Sequence, residues 1–74
     1  MGLMKYSKLK FGENLYRMRQ EKGISQTELS IACGVSLNSI SKWENGKTFP
    51  ELGYFCRVCK ELKVTPNEML EVSE

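Results

Sequence analysis

Asn38 and Lys42 stand four residues apart in the stretch LNSISKWENGK, which runs from Leu37 to Lys47. An amide and an ammonium group at helical spacing offer hydrogen-bonding chemistry rather than bond-breaking chemistry. Asparagine can pair bidentately with N6 and N7 of adenine, lysine can donate to guanine O6 or N7, and Leu37 can pack on a thymine methyl. Ser39 and Ser41 are short side chains that can touch sugar or phosphate, and Ser41 joins Leu37, Asn38 and Lys42 as a candidate for base edges. Reactive groups are scarce by comparison. The chain has no histidine. It also shows no carboxylate pair arranged as a cleft and no glycine-rich phosphate loop, and an 8.5 kDa chain leaves little room for a substrate pocket, so no enzyme is expected. Cys33, Cys56 and Cys59 are an odd number, which argues against a closed disulfide framework. Cys56-x-x-Cys59 has neither a second ligand pair for zinc nor the strand–helix–strand setting of a redox motif. No metal and no cofactor are therefore expected, and the thiols read as small hydrophobes on helix faces.

The elements that must position Asn38 and Lys42 are legible from caps and periodicity. A helix is expected over 37–45. Ser36 is its N-cap, Asn45-Gly46 its stop, and Ile40 and Trp43 its buried side at i, i+3. Leu37, Asn38, Ser41 and Lys42 then face outward. The plainer reading of that face is a solvated surface. A preceding helix is expected over 26–33. Ser25 and Glu28 form its capping box, a feature typically worth ~1 kcal/mol. Leu29 and Cys33 lie on its inner face beside the small Ser30, and Gly34 ends it where a left-handed residue is least strained. Val35 is an apolar residue in the turn. Two capped helices separated by Gly-Val-Ser cannot lie parallel, and such a turn sets them at a steep angle.

The N-terminus of helix 26–33 carries unbonded N–H groups that suit a phosphate, with Gln26 as an added donor. Ordinary helix propensity also accounts for a glutamine there. Asn45, Gly46 and Lys47 supply an amide, close backbone approach and a cation, each suited to a phosphate, and Ser36 and Ser39 belong to the same backbone-facing set.

Around this pair the chain reads as one small all-α domain. Residues 1–10 form a basic arm and residues 11–74 the folded domain. Lys5, Lys8 and Lys10 of the arm either reach toward a nucleic-acid backbone or form a solvated tail. A first helix over 11–22 buries Phe11, Leu15 and Met18, with the stem of Lys22 extending the stripe and Gly12 weakening its start by up to ~1 kcal/mol. After Pro50 a fourth helix over 51–62 is expected to bury Leu52, Phe55, Cys56, Cys59 and Leu62, leaving Tyr54 and Val58 off the stripe. Thr65-Pro66-Asn67-Glu68 opens a fifth helix whose Met69 and Leu70 close the core. No apolar run is long enough to span a bilayer and no signal-peptide pattern appears, so a cytoplasmic protein is expected.

The net charge is only +2, but it is unevenly spread. Residues 1–22 carry +4, residues 23–50 sum to zero, and residues 51–74 carry −2. Such a polarity orients a molecule on a phosphate backbone, although small proteins also show it by chance.

The segment SQTELSIACGVSLNSISKWENGKT resembles the helix-turn-helix of the Cro/repressor class, also called the XRE family. The resemblance extends from Leu15 to about Leu70. It rests on Ser25-Gln26 with Glu28-Leu29, on Gly34-Val35-Ser36, on Ile40-Ser41, and on Trp43-Glu44-Asn45-Gly46-Lys47. Ser30 departs from it, standing where the family usually has alanine, so its hydroxyl needs a partner. The resemblance implies a compact five-helix fold of the lambda-repressor type. It also implies an ion pair between Arg19 and Glu44 that joins the first helix to the recognition helix. A phosphate contact is the competing role for Arg19.

The function expected on these grounds is sequence-specific binding of double-stranded DNA by a transcriptional regulator, most simply a repressor. It would set helix 37–45 in the major groove of a palindromic operator. One such unit reads few base pairs, so a homodimer on two half-sites is expected. Tyr54, Val58, Met69, Leu70 and Val72 are the candidate dimer contacts. The alternative is a protein-interaction module of the same fold, such as an antitoxin bound to a toxin. No small-molecule substrate is legible.

Overall fold

Caps set the ends of the helices. The computed structural model describes residues 8–70, which form five α-helices and no strand: α1 (Lys8–Lys22), α2 (Gln26–Cys33), α3 (Leu37–Glu44), α4 (Leu52–Leu62) and α5 (Pro66–Leu70). The Ser25 hydroxyl accepts from the Glu28 amide at 3.0 Å, and the Glu28 carboxylate accepts from the Ser25 amide at 2.8 Å. Gly34 closes α2 at φ 71°, a conformation glycine adopts without a Cβ penalty. Ser36 caps α3 by accepting from the Ser39 amide at 3.0 Å. Thr65 and Glu68 repeat the reciprocal box at α5, with contacts of 2.7 and 3.1 Å.

α1 begins at Lys8, three residues before the expected start at Phe11, so Lys8, Leu9 and Lys10 are helical rather than part of an arm. Lys10 pairs with Glu13 one turn on, at 3.3 Å. Residues 1–7 and 71–74 lie outside the described residues, and with them the remainder of the arm and the expected contact Val72.

The core is built where the five helices converge. Phe11, Leu15, Met18, Leu29, Cys33, Ile40, Trp43, Phe55, Val58, Cys59, Leu62 and Met69 are buried. Each fully buried large aliphatic or aromatic side chain contributes roughly 1.5–3 kcal/mol relative to exposure. Phe11, Phe49 and Phe55 gather in a cluster with centroids 4.8–5.8 Å apart, which ties α1, the loop after α3 and α4 together.

α4 corrects the expected pattern. Its buried stripe is Phe55, Val58, Cys59 and Leu62; Cys56 is exposed and Leu52 is 76 % exposed. Leu52, Phe55, Cys56 and Cys59 also form a regular helical stripe, and the helix is rolled so that Val58 replaces Cys56 inside. Val58 and Met69, both fully buried, are therefore core residues and not dimer contacts. Lys22 is exposed.

Candidate nucleic-acid interface

The placement of α3 begins at a glycine on another helix. A Cβ built on Gly12 would meet the Trp43 carbonyl oxygen and stand 2.7 Å from that of Glu44, so α1 lies directly on the end of α3 with no room for a side chain. The residue that weakens α1 locally is what allows the two helices to touch. Glycine inside an otherwise helical apolar pattern commonly has such a packing reason, and this is the signal by which it is found.

The same junction carries a polar lock. Arg19 Nε donates to Glu44 Oε2 at 2.6 Å and Nη2 donates to Glu44 Oε1 at 3.1 Å, a two-point contact. Both side chains are nearly buried, at 8 and 6 % exposure. Arg19 Nη1 donates to the Ile24 carbonyl at 2.9 Å, and its guanidinium stands 5.5 Å from the Tyr16 ring centroid. Hydrogen bonding to Glu44 raises the Arg19 pKa further, against the lowering effect of burial, so the arginine stays charged at any accessible pH.

Gln26 joins this lock, which was not anticipated: its Nε2 donates to Glu44 Oε1 at 2.9 Å. One amide proton of Gln26 is thus committed inside the protein, and the other remains beside the α2 N-terminus. Glu44 therefore links α1, the start of α2 and the end of α3 at once. Asn14, also unanticipated, does the equivalent for α5. It is buried, and its Nδ2 donates to the Met69 carbonyl at 2.8 Å. The Ser30 hydroxyl finds its partner in the Thr27 carbonyl at 2.8 Å.

With Ile40 and Trp43 turned into the core, α3 exposes Asn38, Lys42 and Leu37, the last at 47 %. Ser41 and Ser39 are half-buried on its flanks. Ser39 shares a 3.0 Å hydroxyl contact with Ser36, and Asn45 Nδ2 donates to Ser41 Oγ at 3.4 Å. Gly46, at φ 75°, turns the chain out of α3, while Asn45 and Lys47 are exposed. The Leu9 backbone stands 3.0 Å from a Cβ built on Gly46, so the start of α1 sits against this loop. The start of α2 thus stands at the end of α3 through Gln26 and Glu44, α3 exposes an amide and an ammonium group, and a glycine loop runs on to Lys47. That arrangement offers hydrogen-bond donors and acceptors to a ligand and holds no nucleophile–base pair.

Residues 15–69 match the family model described as helix-turn-helix. The chain belongs to the helix-turn-helix family. It has the fold of the Cro/repressor class, whose solved members similar to it are DNA-binding transcriptional regulators. Over 66 residues it is 35 % identical to the HTH-type transcriptional activator BcrR of Enterococcus faecalis, covering 89 % of this chain but 32 % of that protein. The chain thus spans about a third of that relative's length. Among solved structures, the P22 c2 repressor in complex with a synthetic operator is 30 % identical with a TM-score of 0.79, over 85 % of this chain and 96 % of that one. The restriction-modification controller protein C.AhdI from Aeromonas hydrophila is 27 % identical with a TM-score of 0.79, over 84 and 94 % of the two chains. The relatives and the fold of this helix-turn-helix regulator are those of transcriptional regulators, which are not enzymes. Among the described residues no helix is long and apolar enough to cross a membrane, and no group of three or more His, Cys, Asp or Glu is placed to hold a metal.

Proposed function

We propose that this regulator reads a two-fold symmetric operator as a homodimer, with α3 of each copy in the major groove, and that it represses by occupying the site. The observation that carries the reading is the division of α3. Its inner face is locked by Ile40, Trp43 and the Glu44 network, so Leu37, Asn38, Ser41 and Lys42 are presented from a fixed frame. Residues at the N-terminal end of a recognition helix reach base edges first in this docking mode. Asn38 reads adenine, Lys42 reads guanine, and Leu37 packs on a thymine methyl. Gln26, Ser36, Ser39, Asn45, Gly46 and Lys47 hold the phosphates on either side and set the register. The P22 c2 repressor, solved with its operator, supports this mode by similarity.

A face that is polar yet carries Lys42 as its one cation suits base reading better than bulk attraction, because non-specific affinity scales with the number of phosphates neutralised. The test is selection of bound duplexes from a random pool, run for the wild type and for Asn38→Ala/Lys42→Ala. A two-fold symmetric motif that blurs in the variant is expected. Absence of any enriched motif, with weak binding that fades steeply in salt, would overturn the reading and favour a protein-partner module of the same fold.

A further inference from the structure

Among the described residues, Gly53 is the glycine whose presence the fold does not explain. Gly12 permits the α1–α3 contact, and Gly23, Gly34 and Gly46 adopt left-handed backbone conformations. Gly53 lies in the first turn of α4, where glycine is a weaker helix former than alanine, and a Cβ there would meet nothing within 4 Å. The missing side chain therefore leaves space outside the chain. That space is a shallow groove of about 290 Å³ lined by Glu51, Gly53, Tyr54 and Arg57. Glu51 and Arg57 are exposed, and neither has an ion-pair partner among the described residues. Tyr54 is 42 % exposed between them.

We infer that this groove receives the α4 helix of a second copy of the chain, packed antiparallel about a two-fold axis at Tyr54. The inference rests on the dimeric reading above and assigns its interface. Residues three apart on a helix share a face, so Glu51 and Arg57 flank Tyr54 on the surface they have in common. An antiparallel two-fold sets Glu51 of each copy opposite Arg57 of the other, and each Tyr54 ring over the other copy's Gly53. An isologous interface requires a patch complementary to itself, and one unpaired acid and one unpaired base equidistant from an aromatic residue meet that condition. The face also continues toward the DNA side. Glu51 and Tyr54 line a neighbouring groove with Ser36, Ser39 and Trp43, at the first turn of α3. Two copies joined there bring their recognition helices to adjacent positions, as half-sites one turn apart require.

The two charges can be reversed without breaking the fold. Glu51 is the N-cap residue of α4 but makes no side-chain cap bond, and Arg57 is exposed. Sedimentation equilibrium of the full chain at low salt, for Glu51→Arg, for Arg57→Glu and for their mixture, tests the assignment, with thermal melting as the check on folding. Symmetry places each reversal in both ion pairs, so each variant alone is expected to self-associate at least about tenfold more weakly than the wild type. Mixing the two is expected to restore association, because the heterodimer regains both pairs. Self-association unchanged by either reversal would overturn the interface while leaving the dimer standing. Loss in both variants without rescue on mixing would overturn the pairing of Glu51 with Arg57 of the other copy. A wild type that is monomeric both free and on its selected duplex would overturn the dimeric reading itself.

Discussion

α3 and α4 are both short helices with one buried face, yet they are held in different ways. α3 is fixed by directional contacts: a serine cap at its start, a carboxylate at its end shared by Arg19 and Gln26, and a backbone pressed against Gly12. α4 has no side-chain cap bond at Glu51 and ends at Lys63, a left-handed residue with φ 59°; it is held by burial of Phe55, Val58, Cys59 and Leu62. Burial is non-directional. α3, the helix proposed to present side chains to DNA, is locked in rotation by these contacts, and α4, held by burial alone, is not.

Breaking the lock on α3 has the largest expected effect. Glu44→Ala leaves a nearly buried arginine without its anion, and such a loss typically costs about 3–5 kcal/mol. Thermal melting is expected to drop accordingly, with DNA affinity falling alongside. An unchanged melting temperature would show that the pair does not hold the helices together. Gly12→Ala attacks the same junction by overpacking and is expected to destabilise by about 1–3 kcal/mol.

The phase of α4 is tested by a pair of truncations. Val58→Ala removes buried methyl groups and is expected to cost about 2 kcal/mol in denaturant unfolding, against less than about 0.5 kcal/mol for Cys56→Ala. Equal effects would mean that α4 is rolled the other way. The thiols report the same geometry. Burial pushes the Cys59 thiol up to about 11 and raises that of Cys33, whereas Cys56 is exposed. A native thiol titration should count one fast group and two slow ones. The pH dependence follows in sign. The folded state keeps the Cys59 proton after the unfolded chain begins to lose it, so this contribution is intact below pH 9.0 and is lost as pH rises toward about 11. Cys59→Ala should flatten that alkaline limb. The smallest expected change is a gain: Lys63→Gly relieves a left-handed lysine and should stabilise α4 by up to about 1 kcal/mol.

The contrast between the two helices also explains what could be read in advance. Helix ends depend on residues three or four apart, so Ser25-Glu28, Gly34, Ser36 and Thr65-Glu68 were legible, as was the inward side of α3 from Ile40 and Trp43. The Arg19–Glu44 pairing was expected only through the family resemblance, since the two residues are far apart in sequence. The roll of α4 was misjudged because Leu52, Cys56 and Val58 are all apolar, and two stripes satisfy the helical period. Only the positions of its neighbouring helices decide between them. Gln26 reads from the sequence as a phosphate donor or as a plain helix former, and its contact with Glu44 escapes both readings for the same reason: it needs Glu44 beside it, which no local pattern reveals. Gly12 looked like a defect because the carbonyl groups it makes room for belong to another helix.

In the proposed complex the outer face of α3 reads bases while the surrounding loop holds phosphates. The most direct test measures binding of Asn38→Ala, Lys42→Ala and Lys47→Ala to a selected duplex and to a scrambled one, across a range of salt. Asn38→Ala and Lys42→Ala are expected to lose about 1–3 kcal/mol on the selected duplex and far less on the scrambled one. Lys47→Ala should weaken both alike and lower the salt slope by about 1. If Asn38→Ala and Lys42→Ala instead weaken both duplexes equally, α3 is not the reading element.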